Sequence, residues 1–184
     1  MKHVSSSLLL FMFLCLFCAC KETEKEKNTR LVKEWEGKAL AFPSYSTFTI
    51  QGRDTVHFTF PHSEYKIVTY VDSLGCKENK FHFDRWKTFI HEVDSLTGND
   101  VFFVFYFNTK DRDNLCNIAK RNHFIYPVCV DETDLFNHLN QFSKELHTQT
   151  FLLDEADQVI TMGNPINDVE VKEKYMKIMA NVME

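Results

Sequence analysis

Cys76 is the residue best placed to do chemistry in this sequence. It lies between a β-branched run at 66–71 and a helically spaced series, Trp86, Phe89, Ile90, Val93 and Leu96. A cysteine between a strand end and a helix start has its thiolate stabilised by unpaired backbone N–H groups and the positive end of the dipole, which lowers its pKa. Lys77 and Lys80 would add to that effect, and Asp72 and Glu78 would oppose it. A lone thiol of low pKa can attack a mixed disulfide, form a sulfenic acid with peroxide, or hold a thiol-linked partner covalently. Glu78 and His82 are four apart on one helix and would share a face near Cys76. Zinc or copper needs three or four converging ligands, and the sequence supplies no others. The pair His57 and His62 is weaker still. No metal and no cofactor is expected.

Composition narrows the classes of function. The chain has 184 residues, 44% of them hydrophobic, with 21 basic against 26 acidic residues and a formal charge of −5. The acidic balance leaves no basic face for several phosphates, so no nucleic-acid partner is expected. Five glycines form no phosphate-cradling loop, which also argues against a nucleotide. Eighteen phenylalanines exclude a disordered chain.

The first residues are set apart from this core. Lys2 and His3 precede an apolar stretch at 8–19, about a dozen residues, where a membrane span needs roughly 20. It reads as the apolar region of a signal peptide. Ala19-Cys20 at its end, followed by a run of lysines and glutamates, resembles the bacterial lipoprotein signal. That resemblance implies cleavage after residue 19 and a lipid on Cys20, which would anchor the protein to a membrane of the bacterial envelope. An ordinary cleaved signal and an uncleaved anchor are the alternatives. Loss of 1–19 removes only Lys2 among the charged residues and takes the formal charge to −6. Residues 20–34 have few apolar side chains and are expected to be a solvated tether, with the folded domain at 35–184. Lys21-Glu22 also resembles the export signals of some surface-exposed lipoproteins, so the domain would face the periplasm or the cell surface. Cys76, Cys116 and Cys129 then remain, an odd number. Either one disulfide and one thiol form or all three stay free. Cys116 and Cys129 are most simply small buried hydrophobes.

From Trp35 on, the hydrophobic pattern predicts strands at 39–42, 46–50 and 55–60, with a hairpin turn at 51–54. A strand at 66–71, the helix through Trp86, and an apolar central strand at 101–107 follow. Asn108 or Thr109 can cap a helix burying Leu115, Ile118 and Ala119. After a strand at 126–130, Asp131 and Asp134 open a helix with Leu135, Leu139, Phe142 and Leu146 on one face. A hairpin pairs 151–153 with 159–162. Asn167 with Glu170 predicts a capping box for a last helix that turns Val171, Tyr175, Ile178 and Val182 inward. Strands alternating with helices give an α/β three-layer domain, a central mixed sheet with helices on both faces.

The ordered combination carries a resemblance to thioredoxin-like proteins. Residues 71–80, strand end then Cys76 then helix, resemble the active-site turn of that family, and 151–154 with 159–160 resemble its last hairpin. The unit at 126–146 is similar to the strand–helix insertion of membrane-tethered thioredoxins and peroxiredoxins. Trp35-Glu36-Gly37-Lys38, Phe42-Pro43 and Gly163-Asn164-Pro165 are similar to segments of thioredoxin-like lipoproteins of Gram-negative bacteria. The resemblance implies a thioredoxin-like fold with that insertion and an N-terminal hairpin. It places Asn79 where thioredoxins carry their second cysteine and Thr148 where they carry a cis-proline. A Cys76–Asn79 pair cannot cycle between dithiol and disulfide, so the motif is degenerate. His147 would lie near Cys76 and could activate it. Ser73 has the hydroxyl-x-x-Cys spacing of peroxiredoxins, but Thr69 stands where those have proline.

Two functions of different class follow. In one, Cys76 performs single-thiol exchange or redox sensing in the envelope. In the other, a non-enzymatic domain uses its sheet edge or the groove around Cys76 to bind a protein or peptide.

Overall fold

The computed structural model describes residues 22–55, 61–77, 81–98 and 100–180. Its elements in chain order are α1 (Glu24–Trp35), β1 (Phe48–Ile50), β2 (Arg53–Thr55), β3 (Tyr65–Val71), α2 (Ser73–Lys77), α3 (Phe83–Thr97), β4 (Val101–Phe107), α4 (Arg112–Arg121), β5 (Val128–Val130), α5 (Leu135–Asn140), β6 (Thr148–Leu153), β7 (Val159–Met162) and α6 (Val169–Ala180). The strands form one mixed sheet in the order β2-β1-β5-β4-β3-β6-β7. β3, β4 and β5 run parallel, while β6 and β7 on one side and β1 and β2 on the other are antiparallel. Gln51 and Gly52 both have positive φ, the geometry a two-residue hairpin needs to match strand twist.

Alternation along the central strands builds two cores. Ile67, Val71, Phe103, Phe105 and Phe107 face α3, α4 and α6, packing on Trp86, Phe89, Ile90, Leu115 and Tyr175. Val68, Tyr70, Val104 and Tyr106 face the other way, toward Leu31 and Trp35 of α1, Phe136 of α5, and Phe142. Because both faces of β3 and β4 are covered, β4 is apolar throughout and β3 is interrupted only by Lys66 and Thr69. The three-layer α/β expectation holds.

Several local expectations are corrected. The solvated tether is a helix from Glu24 onward, begun by a Thr23–Glu26 capping box. Leu31 and Trp35, four apart, are 1% and 4% exposed against the sheet, so the packed unit starts before residue 35. Leu31 and Trp35, with Val32 half-buried beside them, suffice to dock a helix that is otherwise polar and charged. Residues 39–42 form no strand; Ala39 makes a single bridge to Gln158. Asp111, not Asn108 or Thr109, caps α4 by accepting from the Asn114 N–H. α5 ends at Gln141, which has positive φ, and buries Phe136 while Leu135 and Leu139 are exposed. Asp131 starts it, its two carboxylate oxygens accepting from the N–H groups of Leu135 and Phe136 at 2.9 Å each. Asp168, one residue beyond Asn167, accepts from the N–H groups of Glu170 and Val171 at the start of α6. The turn expected at 51–54 is Gln51-Gly52 alone, because β2 already starts at Arg53, and 56–60 lie outside the described residues.

Candidate functional site

The site is the turn where β3 gives way to α2, at the end of the sheet where the parallel strands finish. Asp72 is its hub. Its Oδ1 accepts from the Gly75 N–H at 2.7 Å, its carbonyl accepts from the Cys76 N–H at 2.9 Å, and its own N–H donates to the His147 carbonyl at 2.9 Å. Asp72 Oδ2 lies 2.8 Å from His147 Nδ1. A carboxylate only accepts, so Nδ1 carries the proton. Thr148 opens β6 opposite Val71, which brings this segment to the cysteine turn.

Gly75 is required by space. A Cβ there would stand 2.8 Å from Val71 Cγ1 and 2.9 Å from the His147 carbonyl oxygen. The carbonyl is already held by Asp72 and cannot withdraw without breaking that bond. Gly75→Ala is therefore expected to cost about 1–3 kcal/mol, read as a lowered thermal midpoint. A variant as stable as the parent would show that the turn is loosely packed.

Cys76 lies in the last turn of a five-residue helix, not at the start of a long one. Its N–H is committed to Asp72, and its thiol, 5% exposed, points back at the Val71 carbonyl, Sγ to O 3.6 Å. Burial first, and then the charge of Asp72, push its pKa from 9.0 up to about 12. This corrects the expected lowering: the dipole and the neighbouring lysines do not decide the balance, and burial does. His147 stands beside the turn as expected, but its Nδ1 is given to Asp72. Cys116 and Cys129 are buried, and all three described cysteines are free thiols. Burial and then Asp131 raise Cys129 to about 12 as well. Asn79, Glu78 and Lys80 lie outside the described residues, as does Cys20. His82 has positive φ just before α3, and His62 is exposed 3.9 Å from Glu155.

Sequence reasoning missed two features of this end. Asp72 organises the turn, although its place between a strand end and a Gly-Cys pair is an Asx-turn signal. Tyr70, on the opposite face of β3, donates its hydroxyl to Asp134 Oδ1 at 2.6 Å and so ties α5 to the same sheet end. No linear spacing joins residues 64 apart.

No protein-family model matches the sequence, and no curated protein does either. Solved structures do match. A putative thiol:disulfide interchange protein from Chlorobium tepidum aligns with a TM-score of 0.54 at 8% identity, over 78% of this chain and 97% of that one. An uncharacterised thioredoxin-like protein from Porphyromonas gingivalis gives 0.54 at 14% identity, over 78% and 94%. The bacterioferritin comigratory protein of Xanthomonas campestris, described for alkyl peroxide reduction, gives 0.52 at 13% identity, over 80% and 100%. The chain has a thioredoxin-like fold, the scaffold of thiol–disulfide oxidoreductases and peroxiredoxins.

Proposed function

We propose that this is a lipid-anchored protein of the bacterial envelope whose thioredoxin-like domain binds a protein or peptide without exchanging disulfides. The observation that carries this reading is the Cys76 thiol, buried and bonded to the Val71 carbonyl with its pKa near 12. Thiol exchange and peroxide reduction both begin with a thiolate, and the turn works against forming one. Asn79 in the second-cysteine position and Thr148 in the proline position support the same reading. The apolar stretch ending at Ala19-Cys20 supports the anchor.

Reduction of a model disulfide by the wild type is expected to match that by Cys76→Ser within about twofold. A rate that depends on Cys76 would restore the single-thiol reading. Cys20→Ala is expected to move the protein from the membrane to the soluble fraction. Tight membrane association in that variant would overturn the anchor.

A further inference from the structure

The path from the anchor to the domain is short and closed by contacts. Arg30 of α1 donates from Nε and Nη2 to Glu22, both at 3.0 Å, and from Nη2 to Glu145 at 2.8 and 3.0 Å. Glu145 is two residues before His147, which holds the Cys76 turn through Asp72. The other end of α1 is fixed at the far end of the sheet: the Gly37 N–H donates to the Val159 carbonyl and the Leu40 N–H to Asp157. Asp157 in turn pairs with Lys66 near the start of β3. α1 thus runs along the sheet with its N-terminus at the Cys76 end. Cys20 is two residues from Glu22, at most about 7 Å away in any conformation.

The same sheet end carries three exposed apolar side chains on three elements. Leu74 in α2 is 50% exposed, Leu135 at the start of α5 is 41% exposed, and Val169 at the start of α6 is 69% exposed. The Asn167 side chain, two residues before Val169, accepts from Arg85 near the start of α3, which places this corner at the same level.

We infer that the domain sits with its Cys76 end against the bilayer that holds its lipid, with Leu74, Leu135 and Val169 in the headgroup layer. The inference rests on the lipid anchor proposed above. An anchor within about 7 Å of Glu22 holds this end of the domain close to the bilayer, and exposed apolar side chains suit its interface. Glu22 and Glu145 share the single positive charge of Arg30. With that end closed by lipid, a protein or peptide partner is taken at the sheet edges and not in the groove around Cys76.

The test uses the full-length lipidated chain in phosphatidylcholine vesicles containing a headgroup spin-labelled lipid. Leu135→Cys, Val169→Cys and Ala156→Cys each carry a fluorophore. Ala156 is exposed in the β6–β7 turn at the opposite end, beyond a strand run of about 17 Å. Quenching at least fivefold stronger at 135 and 169 than at 156 is expected, and Arg30→Ala should narrow that ratio. Equal quenching, stronger quenching at 156, or none at any position in protein that floats with vesicles would overturn the orientation alone. Wild-type chain that fails to float would remove the anchor and the orientation together.

Discussion

Native Cys76 will be alkylated about a thousandfold more slowly near pH 7 than an ordinary cysteine. A pKa moved from 9.0 to about 12 lowers the thiolate fraction by one decade per unit, and burial restricts the reagent further. The rate, read by mass spectrometry on intact folded protein, should climb tenfold per pH unit to about pH 11 with no plateau near 8.5. A midpoint at or below that value would make Cys76 a poised nucleophile and sink the non-enzymatic reading. The same shift affects stability. In the folded state Cys76 and Cys129 keep their protons up to about pH 12, whereas in the unfolded chain they lose them near 9.0. Their contribution is therefore whole below pH 9 and declines as pH rises toward 12, by about 1.4 kcal/mol per pH unit for each thiol. Denaturant melts at pH 8 and pH 10.5 should separate accordingly. Coincident melts would mean that the thiols ionise alike in both states.

Phe136→Ala will destabilise the protein by about 3–5 kcal/mol. Phe136 is fully buried and stacks on Tyr106 at 4.1 Å and on Phe42 at 5.6 Å, with Phe142 edge-on at 5.1 Å. It holds α5 against the sheet, so its removal leaves a cavity among the rings of Tyr106, Phe42 and Phe142. At about 2–4 °C per kcal/mol the melting midpoint should fall by roughly 10 °C. Leu139→Ala, three residues on and exposed, should shift stability by no more than about 0.5 kcal/mol. Reading α5 from its leucines alone would rank the two variants the other way, so the pair tests the face directly.

That reversal shows what the sequence made legible. β4 is visible residue by residue because a strand covered on both faces is apolar, and Val101–Phe107 is apolar throughout, while β3 is visible to within one residue from its β-branched run. The last hairpin, the strand and helix at 126–146 and the three layers followed from alternation of strand and helix patterns. Helix ends were less legible: several carboxylates and amides stand near each start, and Thr109 accepts from the Asp111 N–H while Asn167 accepts from Arg85, which leaves the capping to Asp111 and Asp168. α1 was hidden because docking rests on Leu31 and Trp35 amid charges. At the site, the placing of Cys76, His147 and Thr148 at one sheet end came from the resemblance to thioredoxin-like proteins. The direction of the Cys76 pKa was not. It depends on how deeply a five-residue helix folds its last turn under β3, and no spacing encodes that.

The docking of α1 also bears on what happens if the domain is shed. A protease cutting between Trp35 and Leu40 would free the rest of the chain from the anchor proposed at Cys20, but α1 would leave with the stub. Phe142, Phe151 and Val159, covered by Leu31 and Trp35 in the intact molecule, would then be bare. The released fragment would self-associate through that aromatic patch instead of diffusing away as a monomer. A cut upstream of Glu22 would leave α1 docked over that patch, so the position of a single nick decides between a released monomer and a precipitate.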